Sequence, residues 1–172
     1  VCRRQRQMCI RDSSISISGH KWIFQPKDSS ILLFKNTAEA NQSISISAGY
    51  LSSSNIGIMG SRGAIGLPLL ATLMAWGKEG LAKRLDGCMT LSDELHSHLL
   101  ETGVYIFAKP TSGVILWRPR APYSADEIFL RLPAGSASLA TISGKKWIRH
   151  VAANPNMEID LLCSEITTAL GY

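Results

Sequence analysis

No run of apolar residues in this chain reaches the ~18 that a membrane-spanning helix needs. The longest, Ile65 to Trp76, is too short and too rich in small residues, and reads as a buried core helix. Cysteine is sparse. Cys2, Cys9, Cys88 and Cys163 form no CxxC pair and have no histidine at metal-ligand spacing, so no zinc site is expected. Cys88 and Cys163 stand in helix-like apolar surroundings and read as free, buried thiols. The basic start is followed by no apolar segment of the secretory kind, and a reducing, cytoplasmic setting is expected. Charge is modest and uneven. Arg3, Arg4, Arg6 and Arg11 account for most of a net charge of +5, so composition gives no support for a basic patch on the folded body, and nucleic acid is not an expected partner.

What is present is the composition of a globular protein, with 45% hydrophobic and 18% charged residues over 172 positions. Residues 1–12 stand apart: they have no period and no apolar face, they resemble a translated adapter sequence, and they are expected to be a tail foreign to the fold. Ser14 to Ser18 alternates strictly and predicts a strand, followed by a turn and further strand from His20. Ile31 to Phe34 predicts a strand buried on both faces. An alternating piece lies within Ser43 to Tyr50, and Ser52 to Gly66 reads as loop. Pro68 suits a first helical turn, and Leu67 to Trp76 continues as helix that Gly77 and Gly80 weaken without necessarily ending. Leu81, Leu85, Cys88, Leu95 and Leu99 make a helical stripe that Gly103 stops.

After Gly103 the period changes. Val104 to Ala108 and Val114 to Trp117 predict two strands, and Ser124 caps a short helix with Asp126 and Glu127 in its first turn. Two strands around Gly144 and a terminal amphipathic helix from Glu158 complete a β-β-α-β-β-α unit. The first part has too few strands for a finished parallel sheet, which predicts an α/β domain cut short on its N-terminal side and followed by a small α+β domain. The expected limits are 13–102 and 103–172.

Lys21 is the first candidate for chemistry, in Ser18-Gly19-His20-Lys21-Trp22. Against Trp22 and Ile23, a desolvated lysine would lose charge and become a nucleophilic amine. From the residues alone, a lysine at a strand end is more often a solvated charge. His96 and His98 are two apart on a helix, face different ways, and read as solvated positions.

The stretch SISISGHKW resembles the cofactor-lysine motif of the group II decarboxylases that depend on pyridoxal 5'-phosphate (PLP). YLSSSNIGIMGSRG is similar to the matching region of their serine and histidine branch, and KKWIRHVAANPN to their small-domain signature. The three come in the family's order and together span nearly all of Ser13 to Tyr172. The resemblance implies the C-terminal part of a fold-type I PLP-dependent transferase of the aspartate aminotransferase superfamily. It implies an amino-acid carboxy-lyase that works as a homodimer, with its active site at the subunit interface and an amino acid as substrate. Transamination, another lyase reaction, or a non-catalytic fragment that only associates with a partner are the alternatives.

By the same resemblance Lys21 carries the cofactor, His20 lies against it, and Ser18 offers a hydroxyl to its phosphate, with a simple strand-end hydroxyl as the alternative for Ser18. Ser61 and Arg62 fall on a Gly-Ser-Arg step that reaches the site across the dimer interface, with a loop arginine bonded to backbone carbonyls as the alternative for Arg62. Arg149 falls on the arginine that grips a substrate carboxylate, with a structural ion pair as its alternative. His150 is expected on the opposite side of that strand. Tyr50 falls at a loop entry and not on the family's catalytic tyrosine. Gly63-Ala64-Ile65 departs from the Asn-Gly-His of the serine and histidine branch, which puts that substrate specificity in doubt. The family's phosphate-holding, ring-stacking and ring-nitrogen residues lie upstream of Ser13, so the chain is expected to be inactive alone.

Overall fold

A computed structural model describes residues 14–46, 55–56, 64 and 66–172. The tail 1–12, Tyr50, Ser61 and Arg62 lie outside the described residues. Packing divides the chain into two compact units, Val1–Gly77 and Lys78–Tyr172.

In the first unit, β1 (Ser14–Ser18) pairs antiparallel with β2 (Ser30–Phe34), with Ile15 opposite Leu33 and Ile17 opposite Ile31. The strand at Ile31 to Phe34 is therefore real, but it is not buried on both faces. Leu32 and Leu33 are 51% and 50% exposed, because among the described residues β2 has β1 as its single neighbour and the ribbon carries no covering layer on either side. The chain from His20 to Ile23 is turn and Phe24 belongs to no strand, so the strand expected within His20 to Phe24 does not form.

A helix follows that periodicity did not suggest, α1 (Thr37–Ile44). Asn36 caps it, its Oδ1 accepting from the backbone N–H of Ala38 and Glu39 at 3.1 and 3.2 Å. β3 (Ser45–Ile46) and β4 (Asn55–Ile56) form a short antiparallel pair.

The long helix α2 (Leu67–Glu101) starts at Pro68 as expected and is interrupted at Gly77, where φ is +60° and ψ −171°. Only glycine takes that conformation without steric cost. Gly80 stays helical, so only one of the two glycines breaks the helix. The stripe beyond it supplies Cys88, Leu95 and Leu99, all buried, to the second unit, and Gly103, at φ +70°, ends the run.

The second unit holds β5 (Tyr105–Ile106), β6 (Val114–Arg118), α3 (Ala125–Arg131), β7 (Ser138–Ile142), β8 (Lys145–Val151) and α4 (Ile159–Leu170). This is the β-β-α-β-β-α order read from the sequence. The four strands form one antiparallel sheet in the order β5-β6-β8-β7. Ser143 and Gly144, at φ +50° and +72°, make the two-residue hairpin turn between β7 and β8; positive φ at both central positions matches the right-handed twist of the flanking strands.

Ser124 accepts from Glu127 N–H while the Glu127 carboxylate accepts from Ser124 N–H, a reciprocal cap that starts α3. Strand alternation then gives the sheet two faces. Ile115, Trp117, Ile148 and His150 point to the side covered by helices, where they pack with Leu99, Ile128 and Ile166; each such buried aliphatic side chain contributes roughly 1.5–3 kcal/mol. Arg131 Nη1 donates to the Ala169 carbonyl at 3.1 Å and ties α3 to α4.

Candidate active site

The turn that carries Lys21 is built from both ends. The β1–β2 ladder runs one step further through Gly19 N–H to Ser29 O (2.9 Å), and the loop closes as Gln25 N–H donates to Gly19 O (3.0 Å). The approach needs a residue without a side chain: a Cβ on Gly19 would lie 2.6 Å from Ser29 Oγ and 3.1 Å from Ser29 O. Inside the loop Phe24 N–H donates to Lys21 O at 3.3 Å, and Phe24 sits at φ +55°, a conformation that side chains rarely hold without support. Support comes from buried Gln25, whose Nε2 donates to Ile23 O (2.8 Å) and to Thr72 Oγ1 (2.9 Å), and from Trp76, which meets the Phe24 ring edge-on at 5.8 Å.

On this braced turn Lys21 and His20 are exposed, and Ser18 is exposed at the last position of β1, opposite Ser30. Lys21 therefore lacks the cover expected from Trp22 and Ile23, which are themselves half-buried. Its amine has no hydrogen-bond or ion-pair partner among the described residues. Ser18 thus closes β1, and His20 and Lys21 stand on the turn that follows it. Gln25 and Phe24, which hold that loop, carry no pattern that would have revealed them.

Arg149 lies in the middle of β8, opposite Leu116 on one side and Ser138 on the other, half-buried and on the sheet face away from the helices. It makes no ion pair among the described residues. His150 lies on the other face, as expected. It is 2% exposed, stacked on Trp117 at 6.2 Å with the rings 9° apart, and neither ring nitrogen has a hydrogen-bond partner among the described residues. Burial pushes its pKa down to about 4; the Ser136 backbone pulls weakly the other way without reaching hydrogen-bond geometry. Of the helix histidines, His98 is not solvated: its Nε2 lies 3.1 Å from Thr167 Oγ1 and joins α2 to α4. Among the described residues no group of side chains could hold a metal ion, and no helix is long and apolar enough to cross a membrane.

No protein-family model matches the chain. Serine decarboxylase 3 of Oryza sativa subsp. japonica is 34% identical over 149 residues, which cover 86% of this chain and 30% of that protein. The chain thus spans about a third of the length of this curated relative. The crystal structure of Oryza sativa TDC with PLP and tryptamine superposes at a TM-score of 0.75 over 94% of this chain and 39% of that one, at 17% identity. Lactobacillus brevis glutamate decarboxylase gives 0.75 over 91% and 40%, at 14% identity. In sequence a homologue of a serine decarboxylase, and in fold a relative of amino-acid decarboxylases, the chain is a partial chain of the group II PLP-dependent decarboxylases.

Proposed function

We propose that the protein to which this chain belongs is a PLP-dependent carboxy-lyase that converts an L-amino acid to an amine and carbon dioxide, with Lys21 holding the cofactor. The observation that carries the reading is the presentation of Lys21: an exposed amine without a partner among the described residues, on a turn fixed by the Gly19–Ser29 and Gln25 hydrogen bonds. A solvated surface lysine needs no such bracing, whereas a lysine that must meet a ring aldehyde does. A free amine, an imidazole and a hydroxyl within four residues fit the cofactor's aldehyde, ring and phosphate.

When bound, PLP supplies an electron sink for the pair left by the departing carboxylate. Lys21 would hold it covalently through the ε-amine, His20 would lie against it, and Ser18 would offer a hydroxyl to its phosphate. Arg149 fixes the substrate carboxylate so that the bond to be broken is held in one orientation, and Arg62 is the alternative for that role. Carbon dioxide leaves, and one proton replaces it at the substrate Cα.

Ser61 would approach the cofactor from the second subunit of a homodimer. The free thiols Cys88 and Cys163 suit a cytoplasmic setting.

Borohydride reduction of the complete protein with PLP, followed by peptide mapping, tests the assignment. A reduced adduct on Lys21, absent from Lys21→Ala, is the expected result; an adduct on another lysine, or none, overturns it. Product analysis separates decarboxylation from transamination, since the first gives amine and carbon dioxide and the second a keto acid.

A further inference from the structure

Within the second unit, among the described residues, the sheet has one face covered by helices and one face bare of them, and the two differ in charge. Register puts Tyr105, Leu116, Arg118, Lys145, Trp147 and Arg149 on the bare face, with no aspartate or glutamate among the strand residues that share it. Arg118 stands out. Its guanidinium carbon lies 4.6 Å from the centre of the Tyr105 ring and 5.3 Å from that of Trp147, so two aromatic faces hold it in place. Arg120 crowds the same Tyr105 ring at 4.7 Å, with its Nε already given to the Gly103 carbonyl. Arg118 Nε is buried without a hydrogen-bond partner, and neither Arg118 nor Arg149 has an ion pair among the described residues. Arg149 stands opposite Leu116, two residues from Arg118 along β6, which makes the two arginines diagonal neighbours roughly 7–8 Å apart at Cα. Several cations gathered on one face, one of them partly desolvated and with a donor unused, call for an anion.

We infer that Arg118 and Arg149 together form a carboxylate-binding site on this face, with Arg118 as the fixed cation that positions the carboxylate. The planar fork of a ring-clamped guanidinium suits a carboxylate better than a spherical ion, because two parallel N–H groups match its two oxygens. For the identity of the anion, the carboxylate of the amino-acid substrate, the inference rests on the role of Arg149 proposed above. The site itself does not depend on Lys21.

The indole N–H of Trp147 reports on the site. The resonance is assigned in the 172-residue chain through Trp147→Phe and followed while sodium acetate is added, with sodium chloride at equal ionic strength as control. Acetate is expected to shift it saturably and chloride to leave it in place. Arg118→Gln is expected to weaken acetate binding by about tenfold or more while the Trp117 indole signal, in the helix-covered core, stays where it was. Arg118→Lys, which keeps the charge and loses the fork, falls between. Equal shifts with acetate and chloride, or Arg118→Gln titrating like the parent chain, would overturn the site. Lys21→Ala should bind acetate unchanged; acetate binding that survives a borohydride label at another lysine would sink the cofactor assignment and leave this site standing.

Discussion

His150 is a buried imidazole with no hydrogen-bond partner for either nitrogen among the described residues, and this sets a pH dependence. Its folded pKa, about 4, lies below the ~6.5 of an unfolded chain. The unfolded state therefore binds the extra proton first, and stability falls as pH drops from about 6.5 towards 4, by roughly 3 kcal/mol in all. Urea unfolding at several pH values in that window should show the loss, and His150→Phe should flatten it; an unchanged slope in the variant would mean that another group titrates. Gly19 sets a second prediction. Gly19→Ala must push a methyl against Ser29, including its backbone oxygen, at an expected cost of about 1–3 kcal/mol. The loss should register as faster amide exchange at Gln25 and Ser29, whose N–H groups close the Lys21 loop and its flank. Exchange at the parent rate would show that the loop yields at no cost.

Among the elements, the short helix α3 depends on its reciprocal cap. Ser124→Ala leaves the N–H of Glu127 without its acceptor and should lower stability by about 1 kcal/mol, measured as a shift in the denaturant midpoint with an unchanged slope. The same cap was legible in the sequence, as were the strands of the second unit and the terminal helix, because each follows from local pattern: alternation, a Ser-x-x-Glu start, a glycine stop. The helix at Thr37–Ile44 was equally available in Asn36-Thr-Ala-Glu39, but a weakly amphipathic segment gives a period search little to find. What the sequence could not convey was burial. Ile31 to Phe34 has the composition of a strand covered on both faces, yet cover is decided by neighbours, and the described residues supply one partner strand. Arg118 was readable in retrospect, since alternation along β6 places it beside Leu116 and Arg149; its clamp between Tyr105 and Trp147 depends on strand order, which no local pattern encodes.

At the scale of the whole molecule, the division at Gly77 makes the second unit a candidate for independent folding. It contains a four-stranded sheet, three helical segments and one continuous core. Residues 78–172 expressed by themselves should unfold in one cooperative transition, with dispersed indole signals for Trp117 and Trp147; a broad, non-cooperative melt would show that the core needs the first unit. Catalysis is a different matter. With about a third of its relative's length, the chain is expected to release no carbon dioxide from L-serine when PLP is added, and gas evolution above the Lys21→Ala background would contradict that.

The ribbon of β1 and β2 carries a further consequence. Its strands offer unpaired edges among the described residues, and side chains as apolar as Leu32 and Leu33 point outward on both sides. Such a surface is adhesive towards its own kind. Light scattering from the chain should rise steeply with concentration, and a lysine placed at Leu32 should hold back the turbidity.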